Sequence, residues 1–252
     1  MKTSYGFVIQ ARMGSSRFPG KMLTEIVPGQ TLIELIIDKL RRVDKKLPII
    51  LATTVNKLDD VLVDIAKKME VDVYRGSEHN VLQRFAMAMD SKKLTHAIRV
   101  CADNPFLDVD LLKDLFHHGK SDPVDYLGYK LQGDLPAIKS HYGFFAEFVS
   151  REGLEKIMHD TNEVIYLEHV TNYFYEYPER FRVKWLNTPL FIDQDRGIRL
   201  TFDSEIDLIN IQEVLQNFTT PLKATAAEIC QLVNQSPELS SRMKIEIERN
   251  KK

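Results

Sequence analysis

The chain has 252 residues, with 34 Lys and Arg against 36 Asp and Glu, for a net charge of −2. That balance excludes a generic nucleic-acid binder, which carries a basic excess. Two cysteines exclude both a disulfide scaffold and a four-cysteine zinc site. No run approaches the ~18 apolar residues of a membrane span, and Met1 to Tyr5 lead into a short apolar segment and then charge, with no secretory core. The expectation is a cytoplasmic protein with no nucleic-acid or membrane partner.

Residues 6–10 predict a short buried strand. Leu32, Leu35, Ile36, Leu40 and Val43 recur at helical spacing behind Thr31. Residues 49–52 form the next strand, and Leu58, Val61, Leu62, Ile65, Ala66 and Met69 the next helical stripe. A strand at 71–74, a helix at 81–89, a strand at 96–101 and a helix at 108–120 follow. This alternation predicts a mainly parallel sheet with helices on both faces. Ligands of such sheets bind beyond the carboxyl ends of the strands. Residues 121–150 break the rhythm, because Pro123, Gly128, Gly133, Pro136 and Gly143 punctuate short aromatic-rich segments. They predict a small antiparallel arm. Helices at 151–159 and 166–175, strands at 181–186 and 198–202, and helices at 206–215 and 226–233 complete one domain over 1–236. Residues 237–252 are expected as a charged tail, fraying from 242.

The stretch from Gln10 to Leu23 carries the most chemistry. It follows the first strand and holds Gly14, Ser15, Ser16, Gly20 and the cations Arg12, Arg17 and Lys21, with no acid. Small residues let backbone N–H groups approach a ligand, and successive N–H groups cradle an anion. Arg forks match phosphate oxygens and Lys adds a compact charge. A solvated basic turn would use the same residue types. A Walker A loop does not fit: five residues separate Gly14 from Gly20, and Met22 follows Lys21 where a hydroxyl is needed.

Asp103 and Asp203 each close an apolar segment. Magnesium takes one or two carboxylates plus phosphate oxygens and water, and these two supply such a pair. Asp at a strand end also serves as turn former or N-cap. Arg75, Gly76 and Ser77 follow the third strand and either touch a base or ribose or turn the chain. Cys101 reads as a core residue rather than a nucleophile.

The run Gln10, Ala11, Arg12, Met13, Gly14, Ser15, Ser16, Arg17, Phe18, Pro19, Gly20, Lys21 resembles the signature of the cytidylyltransferases that activate sugar acids. It is closest to the branch named after spore coat polysaccharide biosynthesis protein F. The resemblance continues through Ala52-Thr53-Thr54, Arg75-Gly76-Ser77-Glu78, Arg99 to Pro105, Glu168-His169-Val170-Thr171 and Arg199 to Asp203. It implies an α/β, Rossmann-like nucleotide-diphospho-sugar transferase fold: a mainly parallel mixed sheet with a small antiparallel arm, often a homodimer. It implies the reaction of CTP with a sugar acid or related sugar, giving CMP-sugar and pyrophosphate. In that reading Arg12 and Lys21 are catalytic and bind the triphosphate. Gln10, Ala11, Gly14, Ser15, Ser16 and Arg17 wrap the nucleotide, with Arg75, Gly76 and Ser77 near the nucleoside. Asp103 and Asp203 hold magnesium, Asp103 also facing the nucleotide, and Glu147, Glu168 and His169 lie on the sugar side.

Two departures stand out. Ala102-Asp103-Asn104-Pro105 replaces the family's Gly-Asp-Cys-Pro, and Phe145 stands where an acid is expected, although Glu147 matches. Two other classes fit parts of the pattern. A glycosyltransferase of related architecture would use a finished nucleotide sugar through an Asp-x-Asp motif. Asp108-Val109-Asp110 has that spacing but sits at a predicted helix start, where capping explains it. The other class is a nucleotide- or sugar-binding module without catalysis.

Overall fold

The structure is a computed structural model that describes residues 3–193 and 197–250. Strand β1 (Tyr5–Gln10) leads through a loop to the small ribbon β2 (Glu25–Val27) and β3 (Gln30–Thr31). Then come α1 (Leu32–Val43), β4 (Ile49–Thr54), α2 (Asp60–Lys68), β5 (Asp72–Gly76), α3 (Val81–Ser91), β6 (His96–Cys101) and α4 (Val109–Ser121). Next follow β7 (Tyr126–Lys130), β8 (Glu147–Ser150), α5 (Arg151–Asp160), α6 (Val164–Glu168), α7 (Asn172–Glu176) and β9 (Val183–Asn187). The chain closes with α8 (Leu190–Asp193), α9 (Glu205–Gln216), α10 (Ala226–Asn234) and α11 (Pro237–Arg249).

Seven strands form one sheet in the order β5-β4-β1-β6-β8-β7-β9. All its pairings are parallel except those of β8, which runs against both β6 and β7. The pleat sends alternate side chains to opposite faces. Phe7 and Ile9 pack with Leu32, Ile36, Leu112 and Ile211 on one side. Val8 packs with Leu82, Phe85, Leu154 and Phe174 on the other. Both faces are therefore apolar, as helices on both sides of a parallel sheet require. The expected start of α1 holds: the Glu34 carboxylate accepts from the Thr31 N–H at 2.9 Å and the Thr31 hydroxyl at 2.7 Å. No described helix is long and apolar enough to cross a membrane.

The antiparallel element expected over 121–150 is β8, woven into the middle of the sheet, and the small separate ribbon is β2–β3. The strand expected over 198–202 is not a ladder strand. Its N–H groups reach single carbonyls: Leu200 and Thr201 donate to His141 O at 2.8 and 3.3 Å, and Phe202 to Asp103 O at 2.8 Å. The alternation that mimicked a strand comes from burial of Ile198, Leu200 and Phe202. The segment expected as a fraying tail is helix α11, apart from Lys251 and Lys252, which lie outside the described residues. Leu239 and Met243, one turn apart, are buried. Each such burial contributes about 1.5–3 kcal/mol, enough to dock an otherwise charged helix.

Candidate active site

The ends of β1, β4 and β6 converge on the loop after β1. Gly20, at φ +79°, adopts the left-handed conformation that glycine tolerates best. It turns the chain into a short 3₁₀ segment, Lys21–Leu23. The Met13 carbonyl closes the loop, accepting from Ser15 N at 2.8 Å and Gly20 N at 3.3 Å. Gly14, Ser16 and Arg17 are left exposed at its tip.

Lys21 turns inward. Its Nζ donates to Phe202 O at 3.0 Å and Asp203 Oδ1 at 3.1 Å, and lies 3.6 Å from Asp103 Oδ2. Asp103 follows β6, Asp203 precedes α9, and the Phe202–Asp103 backbone bond ties the two segments together. Arg17 Nη2 lies 2.9 Å from Asp203 Oδ1. Burial resists ionisation of Asp203, but Lys21, Arg17 and Arg199 hold its carboxyl below the usual carboxylate range. Arg199 is fully buried behind it and anchored by Asp207 and His141. Two carboxylates from separate segments thus converge on one cation.

Arg12 points the other way, its Nη1 3.3 Å from Glu78 Oε1. Buried Arg84 donates to the carbonyls of Ser77 and Glu78 and fixes that turn. The loop's other anchor is Asp59, 1% exposed. Its carboxylate accepts from Met13 N at 2.7 Å, Thr53 Oγ1 at 2.9 Å, Thr54 N at 3.0 Å and the Thr54 hydroxyl. Burial opposes its charge, but the hydrogen bonds from Met13, Thr54 and Thr53 prevail and hold the carboxyl below its ordinary range.

The structure therefore brings together Lys21, Arg17, Asp103 and Asp203 in one cluster, with Ala11, Arg12, Gly14, Ser15 and Ser16 along the same loop. Other expected residues are engaged in building the walls. The Arg75 guanidinium, expected near a nucleoside, donates to Thr54 O, Asn56 O and Asp60 Oδ1 at 2.8, 2.8 and 2.6 Å. Gly76 O accepts from Val55 N at 3.1 Å, and Ser77 Oγ accepts from Asn80 N at 3.0 Å. Glu147, expected on the sugar side, is 1% exposed. It accepts from Arg99, from Tyr126 Oη at 2.7 Å and from Thr171 Oγ1 at 3.2 Å. Arg99 also donates to the side chain of Gln10. This chain runs from the start of the basic loop, through Arg99 and Glu147, to the segment carrying exposed Glu168 and His169.

Phe145 lies in the core against Tyr129, ring centroids 5.4 Å apart. Cys101, expected in the core, is half-buried at the end of β6; burial pushes its thiol up to about 11, which leaves it uncharged and unreactive at neutral pH. Asp108 caps α4, accepting from Asp110 N and Leu111 N at 2.9 Å each, which accounts for the Asp-x-Asp spacing. Sequence reasoning missed Asp59, Glu78 and Arg84. Asp59 falls inside the apolar stripe that begins at Leu58, and the partner that gives it its role, Met13, lies 46 residues earlier in the sequence. Among the described residues no group of three His, Cys, Asp or Glu side chains could hold a metal ion. A divalent cation here would use two carboxylates and oxygens of its ligand, as magnesium commonly does.

A sequence profile of the cytidylyltransferase family matches residues 7–235. Spore coat polysaccharide biosynthesis protein SpsF of Bacillus subtilis is 31% identical over 240 residues, covering 93% of this chain and 96% of that one. An uncharacterised protein of Methanocaldococcus jannaschii is 29% identical over 234 residues, 93% of this chain and 92% of its own. Among solved structures, a cytidylyltransferase from Leptospira borgpetersenii superposes with a TM-score of 0.84 at 23% identity, covering 94% and 97% of the two chains.

Proposed function

The chain belongs to the cytidylyltransferase family and is a nucleotidyltransferase, and on that premise we propose that it couples CTP to a sugar acid or related sugar, releasing pyrophosphate. The observation that carries this reading is the Lys21 ammonium set between Asp103 and Asp203 at the end of a glycine- and serine-rich basic loop. Every cation of that loop faces an acid: Arg12 faces Glu78, Arg17 faces Asp203, and Lys21 faces both aspartates. A triphosphate that arrives with a divalent cation exchanges these partners. The phosphates take the cations, and Asp103 and Asp203 would then be free to hold the divalent cation, whose charge would neutralise theirs. Neither charge set is then left unpaired, which in a partly buried site is the costly alternative.

In the reaction a sugar hydroxyl attacks the α-phosphorus. A new P–O bond to the sugar forms, the bond from the α-phosphorus to the pyrophosphate oxygen breaks, and the hydroxyl proton is lost to solvent. Arg12 and Lys21 orient the triphosphate and stabilise charge on the departing pyrophosphate. The exposed loop tip of Gly14, Ser16 and Arg17 supplies backbone N–H groups and a further cation, with Ser15 holding the turn through its N–H to Met13 O. Asp103 and Asp203 fit a magnesium ion, which when bound supplies charge neutralisation at the phosphates. Glu168 and His169 face the sugar, positioned through Thr171 on the buried Glu147. Glu147, Arg99 and Arg75 act as supports. The name of the Bacillus relative, polysaccharide biosynthesis, supports a sugar as acceptor, and a homodimer remains part of the reading.

The test is incubation with CTP, magnesium and separate sugar-acid and neutral-sugar acceptors, following pyrophosphate and CMP-sugar together. Equimolar appearance of both supports the proposal. Release of a nucleoside diphosphate from a finished nucleotide sugar would replace it with glycosyl transfer.

A further inference from the structure

At the other end of the loop that begins with Asp103 lies a second polar cavity, of about 100 Å³. Its charged lining is Lys39, Arg42, Lys113 and Lys223, with Asp108 and Asp110. Lys39 belongs to the buried face of α1 and is only 7% exposed. Its Nζ donates to Leu107 O at 3.0 Å. An ammonium carries three N–H groups, and among the described residues Lys39 has no ion pair. Burial pulls its pKa down to about 8, against an upward pull from Asp108, with Arg42 pressing it lower.

Asp108 is near enough to favour the Lys39 charge, but neither acid forms an ion pair with it among the described residues. Asp108 Oδ1 accepts from Asp110 N and Leu111 N, and its Oδ2 accepts from Ala226 N at 3.0 Å, so the carboxylate is held by the starts of α4 and α10. Asp110 is largely exposed and pairs with Lys113 at 3.1 Å. Arg42 donates to Leu222 O at 2.9 Å from the rim. Four cations and two already engaged carboxylates thus surround a small space with a buried ammonium at its floor. Buried charges are normally paired, and the missing partner is an anion.

We propose that this cavity binds a single phosphate group, either free phosphate or the end of a phosphomonoester, with Lys39 as its floor and Arg42 and Lys223 at its rim. Its volume suits one tetrahedral oxyanion and is well below the ~300 Å³ at which drug-sized ligand sites begin. It is distinct from the nucleotide loop, but the chain joins them. Leu107 N donates to Asn104 O at 3.1 Å and Asp108 N to Phe144 O at 3.0 Å. The Asn104–Leu107 turn therefore connects Asp103, which precedes it, to the carbonyl that holds Lys39.

Isothermal titration at pH 7 with inorganic phosphate, and separately with glycerol 3-phosphate, tests this on the wild type, Lys39→Met, Arg42→Ala and Lys21→Ala. The expected result is saturable binding that Lys39→Met weakens about tenfold or more, since a charge-assisted bond is lost. Arg42→Ala, on the exposed rim, weakens it several-fold, and Lys21→Ala retains it. Equal affinities for the two probes identify free phosphate as sufficient, and tighter glycerol 3-phosphate binding identifies the ester. Wild-type affinity in both Lys39→Met and Arg42→Ala, or no binding of either probe, overturns the site. Loss in Lys21→Ala alone also overturns it, by locating the anion in the nucleotide loop. The proposal does not rest on the nucleotidyl-transfer reading, which the Lys21 variant probes separately.

Discussion

Asp59 is the residue whose loss should tell most about how the nucleotide loop is held. Replacing it with Ala removes the acceptor for Met13 N and Thr54 N and for the hydroxyls of Thr53 and Thr54. The hydroxyls can turn to other acceptors, but the two backbone N–H groups cannot. A buried unpaired donor costs about 1–3 kcal/mol. Thr54 is 1% exposed and bears the full cost, whereas Met13 is half-buried and recovers part of it from water. The expected destabilisation is about 3 kcal/mol, a fall in Tm of roughly 6–12 °C for a chain of this size. Asp59→Asn keeps one acceptor oxygen and should lose about half as much. Because Met13 O also closes the loop on Ser15 and Gly20, the same variants should raise KM for CTP about tenfold, the equivalent of ~1.4 kcal/mol. Thermal melts and pyrophosphate-release kinetics read the two effects. An Asp59→Ala protein that melts within 1 °C of wild type, or binds CTP unchanged, would refute the clamp.

Lys21→Ala should cut turnover about a hundredfold or more, as expected for removal of a group stabilising transition-state charge. Unchanged turnover in the pyrophosphate assay would remove Lys21 from the mechanism. The carboxyls of Asp59, Asp125 and Asp203 are held low in the fold. Their contribution to stability is therefore complete above the unfolded carboxylate pKa of about 3.9 and is lost as pH falls through the lower folded values. Urea midpoints should be flat near neutrality and fall steeply below about pH 4, less steeply in Asp59→Asn. Gly143→Ala places a Cβ 3.2 Å from Leu200 O at a backbone φ of +69°, and should cost ~1–2 kcal/mol in urea unfolding.

The parts of this site that depend on local chemistry could be read from the sequence. A strand running into glycine, serine and three cations, and two acids ending apolar runs, mark the segments that the fold brings together at Lys21, Asp103 and Asp203. What could not be read depends on distant partners. Asp59 is capped in meaning by Met13, 46 residues earlier. Glu147 is expected on the sugar side, but Arg99, Tyr126 and Thr171 close around it and bury it. Arg75 sits at the expected strand end, but three of its N–H donors go to Thr54 O, Asn56 O and the Asp60 carboxylate on the turn after β4. The segment 198–202 has the alternation of a strand because its side chains are buried as a strand's are. Only the destination of its N–H groups, His141 O and Asp103 O, distinguishes it. Helix α11 was hidden because burying Leu239 and Met243 needs a surface that only the folded chain supplies.

The basic loop and the two aspartates are proposed to recognise CTP together with a divalent cation. Equilibrium binding of CTP, CDP, UTP and ATP, each with and without magnesium, to the wild type and to Lys21→Ala tests it most directly. CTP should bind tightest, magnesium should strengthen its binding, and Lys21→Ala should weaken it about tenfold or more through loss of a charge-assisted contact. Equal affinity of Lys21→Ala for CTP, or preference for a diphosphate over the triphosphate, would contradict it.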